Sequence, residues 1–322
     1  MSKKPLFPPK PRKVGIVIFP DFQLLDAAGP ITAFEIAARA APGAYRLQVM
    51  AVESGLVRSS AGVAMPAEPL SLRGVDTLIV VGGEGTRAAV ADAKLLAAVK
   101  RAPGCVRRVA SVCSGAFVLA AAGVLDGKHA TTHWRHAPRM AKLFPRVQVE
   151  PDRIHVKDGA VWTSAGISAG IDLALAMIAE DVGEAIATQV AREMVVYAKR
   201  PGGQAQHSAL LELDAQGDRF AKLNAWMRDH LSGDLSVERL AREAAMSPRN
   251  FARAYAAETG VTPAKAVERL RADAARAALE RGGAIKEIAR RTGFGEPERM
   301  RRAFTRLYGA PPATMRRTLR HA

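Results

Sequence analysis

The chain of 322 residues holds two cysteines, and Cys113 stands where a thiol can work. In VASVCSGAFVLAAAG an apolar strand pattern passes directly into a helical one through this Cys, with small residues beside it. An elbow of that kind strains the backbone of a nucleophile, and bulky neighbours would clash there. The helix start that follows favours the thiolate and turns the Ser114 N–H toward an anion. A buried, inert cysteine is the plainer alternative; Cys105, in RAPGC ahead of the strand, has no comparable setting and is expected to be inert. Three features accompany Cys113. LIVVGGEG ends a strand in a Gly pair, Gly82-Gly83, whose backbone can approach a ligand. DFQLLDAAGP sets Asp26 just after the first strand, at the carboxyl edge where open α/β sheets bind ligands; a helix N-cap is the alternative. TTHW sets His133 beyond the elbow helix, as a pocket residue or a satisfied structural histidine.

A second set of residues lies near the C-terminus. In LSVERLAREAAMSPRNFARAYAAETG a first helix turns Val237, Leu240 and Ala241 inward and ends in a tight turn through Ala245 and Met246. Ser247 caps a second helix and Pro248 occupies its first position, where the missing N–H costs nothing. Phe251 and Tyr255 share one face of that helix; Arg249, Asn250, Arg253, Ala256 and Ala257 fall on the other, within about 120°. Arg pairs with guanine, Asn with adenine, and Ala permits close approach, so this face fits the major groove of double-stranded DNA. The pattern returns about 49 residues later in GAIKEIARRTGFGEPERMRRAFTRLYG. There Ile285, Ile288, Met300, Phe304 and Leu307 turn inward, while Glu298, Arg299, Arg302, Thr305 and Arg306 point outward. Between the motifs Thr262-Pro263 opens a helix predicted to reach Arg281, about 28 Å long and close to the ~34 Å between major-groove faces on one side of DNA. A basic helical bundle with solvated charges is the bland alternative, and the repeated pair argues against it.

These residues need two scaffolds. The composition, 48% apolar and 24% charged, is that of an ordinary globular protein, and the length suits two domains. The longest apolar stretch, 116–125, falls short of the roughly 18 residues of a membrane span. Residues 1–13 are basic and broken by prolines, and read as a disordered tail on a cytoplasmic protein. So few cysteines exclude a disulfide scaffold or a Cys-based zinc site, and no metal or cofactor is expected. Of the net charge of +16, the tail carries +5 and residues 236–322 carry +10, which points to a polyanionic partner. From 14 to 182, short β-branched runs (14–19, 78–81, 109–112) alternate with helical patterns (31–40, 88–101), which predicts a mostly parallel sheet with helices on both faces. A helical pattern continues from 167 to 199, interrupted near 181–183; RPGGQAQHS then opens a linker over 200–216, and 217–322 is helical throughout.

Residues 217–318 resemble the AraC/XylS family of transcription regulators across both motifs, with Met300 where that family commonly has an aromatic residue. Residues 14–199, including the closing TSAGISAGIDLALAMIAEDVG, resemble the DJ-1/PfpI superfamily, flavodoxin-like relatives of the class I glutamine amidotransferases. The combination resembles the GlxA family of transcription regulators. That resemblance implies an α/β flavodoxin-like domain followed by an all-α domain with two helix-turn-helix motifs. It assigns Cys113 as the elbow thiol, Asp26 as the carboxylate facing it, Gly83 and Ser114 as anion-hole amides, and His133 as a pocket histidine. PfpI-type proteases carry His directly after the nucleophile; Ser114 stands there in this chain, which argues against peptidase activity. The implied function is sequence-specific DNA binding controlled by a small-molecule effector, by a homodimer that engages RNA polymerase if it activates. An active DJ-1-type enzyme, isonitrile hydratase-like, tethered to a DNA reader, and a Cys113 redox sensor are the alternatives.

Overall fold

A computed structural model describes residues 10–196, 218–280, 282–308 and 311–315. The chain divides into two compact units, Met1–Gln206 and His207–Ala322. The expected linker, 200–216, lies outside the described residues, as do residues 1–9 of the expected tail. The end of that tail is corrected: Arg12 and Lys13 already belong to the first strand, in register with Tyr45 and Arg46.

In the first unit the strands are β1 (Arg12–Val17), β2 (Tyr45–Ala51), β3 (Gly55–Arg58), β4 (Ala64–Pro69), β5 (Val75–Val80), β6 (Arg108–Val112), β7 (His129–Ala130), β8 (Gln148–Val149), β9 (His155–Asp158) and β10 (Val161–Ser164). The helices are α1 (Leu24–Ala40), α2 (Thr86–Ala89), α3 (Ala93–Arg101), α4 (Gly115–Ala121), α5 (Ala137–Leu143), α6 (Ala169–Val182) and α7 (Glu184–Glu193). The main sheet runs β3-β4-β2-β1-β5-β6-β10-β9, and its five central strands, β2 to β10, are parallel. β6 is buried along its whole length and β1 from Val14 to Val17, because helices cover both faces: α1, α6 and α7 pack together, as do α2 and α3 with α4. From β1 the chain moves outward to β2, then returns to β5 on the other side of β1. The carboxyl ends of β1 and β5 therefore diverge into a crevice, the place where such sheets bind ligands.

The helix expected over 88–101 is two helices, because the Asp92 carboxylate accepts the Lys94 and Leu95 N–H groups at 2.9 and 3.1 Å and starts a new one. The break near 181–183 falls at Gly183, whose φ of 98° ends α6.

The second unit contains α8 (Asp218–Asp229), α9 (Val237–Glu243), α10 (Pro248–Thr259), α11 (Pro263–Glu280), α12 (Ile285–Arg291) and α13 (Pro297–Tyr308). Ser236 caps α9 through the Arg239 N–H, and Ala245 at φ 52° makes the turn toward α10. The 18 residues of α11, about 27 Å, serve two cores. Ala266, Val267 and Leu270 pack with Phe220, Phe251 and Tyr255, whereas Ala272, Ala275 and Leu279 pack with Ile288, Met300 and Phe304. Arg281, the expected end of this helix, lies outside the described residues.

Candidate functional site

Cys113 follows β6 with a φ of 57°, a left-handed conformation that a side-chain-bearing residue adopts only when its surroundings impose it. The surroundings are visible. A Cβ on Gly115 would lie 2.3 Å from the Val80 carbonyl oxygen, and a Cβ on Gly166 would lie 2.1 Å from the Cys113 Cβ. The Cys113 N–H donates to the Ser164 carbonyl at 3.0 Å, and the Thr132 hydroxyl donates to the Cys113 carbonyl at 2.8 Å. The elbow is thus tied to β10 and to the segment after β7.

Asp26 sits in the first turn of α1, fully buried, and it is not the cap of that helix. Its carboxylate accepts the Gly82 N–H at 3.2 Å and the Ile167 N–H at 2.7 Å, which joins α1 to the loops after β5 and β10. The Cys113 thiol also donates to it. Burial raises the Asp26 pKa to about 6, against the lowering effect of the Ile167, Gly82 and Cys113 donors. The Cys113 thiol is pushed well above its ordinary range by burial first and by the Asp26 charge second, opposed by the Ser114 N–H. This corrects the expectation that the helix start favours a thiolate: α4 is seven residues long, and desolvation beside a carboxylate outweighs its dipole. At neutral pH the pair is a carboxylate and a thiol with one proton between them.

Gly83 and Ser114 lie together, although not as two amides facing one open anion site. The Gly83 N–H donates to the Ser114 hydroxyl oxygen at 3.0 Å, and that hydroxyl also meets the Thr86 hydroxyl at 2.8 Å. His133 lines the same pocket, and its Nδ1 accepts the Arg135 N–H at 3.3 Å. The pocket, about 570 Å³, lies over the elbow and brings Cys113, Ser114, Gly83 and His133 together with Arg87, Phe117, Arg135, His136 and Arg139. Sequence reasoning missed those last residues, although Arg135, His136 and Arg139 stand in RHAPR, directly after the TTHW signal. Burial, then Arg135 and Arg139, holds the His136 pKa below its usual range, with Glu84 opposing.

In the second unit Arg249, Asn250 and Arg253 are exposed on α10, opposite the buried Phe251 and Tyr255. Arg299, Arg302, Glu298 and Arg306 are exposed on α13, opposite Met300 and Phe304. Glu298 is held by Arg301 at 2.7 Å and Arg306 pairs with Glu268 of α11, so these two are not the free outward groups that the sequence pattern implies.

Fold and site together define a class: a flavodoxin-like domain with a buried elbow thiol, joined to a DNA-binding domain with two helix-turn-helices. The comparisons agree. The DJ-1/PfpI family model matches residues 12–180, and a helix-turn-helix domain model matches 240–318. The HTH-type transcriptional regulator GlxA of Rhizobium meliloti (strain 1021) is 30% identical over 95% of this chain and 96% of its own length. The isonitrile hydratase of Pseudomonas putida is 34% identical over 59% of this chain and 80% of its own. Among solved structures, a ThiJ/PfpI family protein from Pseudomonas syringae matches with a TM-score of 0.53 at 28% identity, covering 59% of this chain and 77% of that one. The chain belongs to the DJ-1/PfpI family and, through its AraC-type helix-turn-helix domain, to the GlxA-type transcriptional regulators. Among the described residues, no helix is long and apolar enough to cross a membrane.

Proposed function

We propose that this regulator works in the cytoplasm as a homodimer, binds a small effector in the elbow pocket, and changes its action at promoters, including its contact with RNA polymerase, when that pocket fills. The observation that carries this reading is the burial of Cys113 beside Asp26, whose carboxylate is already held by the Gly82 and Ile167 N–H groups. A nucleophile needs the thiolate, and this site withholds it. What remains is a polar floor beneath a pocket of ordinary ligand size, about 570 Å³. Arg249, Asn250 and Arg253 on α10 and Arg299 and Arg302 on α13 would read the operator, with Arg306 and Glu298 at the margin. The test is a promoter reporter combined with operator binding: Cys113→Ala and Asp26→Ala weaken the response to effector while effector-free operator affinity stays unchanged.

Hydration of a small polarised substrate is the second reading, favoured by the single proton shared between Asp26 and Cys113 and by the likeness to the Pseudomonas putida hydratase. Turnover of an isonitrile that disappears in Cys113→Ala would favour it over effector holding. A redox role for Cys113 runs against its burial and its raised pKa, since oxidation follows thiolate character and exposure.

A further inference from the structure

The mouth of the elbow pocket is strongly cationic. Arg87, Arg135 and Arg139 line it, against one lining carboxylate, Glu84. Among the described residues, no ion pair takes up any of these three guanidiniums. Even with the buried Asp26 counted, the arginines outnumber the carboxylates at the site.

Two of the three are also oriented. The Arg135 guanidinium carbon lies 5.7 Å from the centre of the Trp134 ring, and that of Arg139 lies 6.0 Å from the centre of Phe117. A guanidinium laid over a ring keeps its N–H fork available in a fixed plane, the geometry that captures a carboxylate or phosphate through two parallel hydrogen bonds. The floor is different. Asp26 is ionised at neutral pH behind Cys113, so a second negative charge at that end would be repelled, whereas a neutral polar group meets a thiol and the Ser114 hydroxyl. A quaternary ammonium would want several aromatic faces and a nearby carboxylate. This mouth offers it Phe117, already covered by Arg139, and one carboxylate, Glu84, among three arginines.

We infer that the elbow pocket takes a small organic anion, its carboxylate or phosphate held at the mouth by Arg87, Arg135 and Arg139 and a neutral polar end turned toward Cys113. The inference rests on the reading of this pocket as the effector site and adds the chemical class of the effector. It is tested by calorimetric titration of the full chain at fixed ionic strength with succinamate, glycerol 3-phosphate, propionamide and choline. At least one of the two anions should bind, and propionamide and choline should bind at least tenfold more weakly; the better anion identifies carboxylate or phosphate as the group held. The double substitution Arg135→Gln with Arg139→Gln should lower anion affinity at least tenfold, and Arg135→Lys with Arg139→Lys should recover part of it. Choline or propionamide binding as tightly as the anions, failure of both anions to bind, or anion binding indifferent to the Gln substitutions would overturn the inference. Its failure is distinguishable from failure of the sensor reading. Arginine-dependent anion binding that a promoter reporter ignores leaves the anion site standing and removes the effector role. A reporter that answers choline through Cys113 keeps the effector role and removes the anion.

Discussion

Asp26 and Cys113 meet at the point where the sheet changes direction, and between them they keep one proton at neutral pH: the carboxylate accepts and the thiol donates. Two backbone amides from separate loops, those of Gly82 and Ile167, fix the carboxylate in place, so the pair is rigid before any ligand arrives. Rigid polar groups of this kind favour holding a ligand at little ordering cost.

The raised pKa of Asp26 makes a prediction about stability. The folded value of about 6 exceeds the ordinary 3.8, so folding favours the protonated acid. That contribution is fully present below pH 3.8 and is lost as pH rises through 6, the loss reaching about 3 kcal/mol by pH 7. Asp26→Asn loses a good acceptor for one of the two amides and starts less stable at low pH. Relative to the natural chain, its stability should then rise steadily between pH 4 and 7 in denaturant unfolding. A difference that stays flat across this range would contradict the assignment.

Thiol labelling should follow exposure rather than position at the elbow. Cys105 is exposed and Cys113 is buried with a raised pKa. Iodoacetamide at pH 7 should therefore modify Cys105 first, as read by peptide mass spectrometry. Asp26→Ala removes the negative charge beside Cys113 and should speed its labelling severalfold. Rapid labelling of Cys113 in the natural chain would point to a working nucleophile.

Gly166→Ala should damage the pocket selectively. The added methyl would lie 2.1 Å from the Cys113 Cβ, at a residue whose φ is +88°. Backbone displacement of the elbow should cost on the order of 1 to 3 kcal/mol. Effector response should be lost while operator binding persists in gel-shift assays. Unchanged stability and response would mean that Gly166 does not confine the elbow.

In α10 and α13, the proposed reading helices, the outward polar residues are distinct from the buried packing ones. Arg253→Ala or Asn250→Ala should each cost roughly 1 to 3 kcal/mol and relax preference at particular base pairs. Arg302→Ala should act at base pairs about one helical turn away, as the length of α11 requires. Phe251→Ala or Phe304→Ala should instead lose about 3 to 5 kcal/mol of stability as buried truncations. Footprints that cover a single turn would contradict the two-reader arrangement.

What the sequence made legible was whatever local rules decide. The elbow at Cys113 and the start of α10 at Ser247-Pro248 come from small residues and Pro at fixed spacings, and the structure puts both there, although the Ser247 side chain makes no capping hydrogen bond. Asp26 was legible as a carboxylate at the right edge, but its partners were not, because Gly82 and Ile167 reach it only through the tertiary fold. The direction of the Cys113 shift depended on burial, which outweighs the helix start. Arg87, Arg135 and Arg139 were invisible as a group because α2, the segment before α5 and α5 itself converge only in space. Asp92 looked like an interior helix residue and acts as a cap.

Operator binding and promoter output, measured side by side for the natural chain and for the double substitution Asp26→Ala with Cys113→Ala, test the control of the DNA reader by the elbow pocket most directly. The double substitution should bind the operator with natural affinity in the absence of effector, because α10 and α13 belong to a separate unit with its own cores. It should also fail to change promoter output when effector is added. Natural effector-dependent output from that variant would contradict the account.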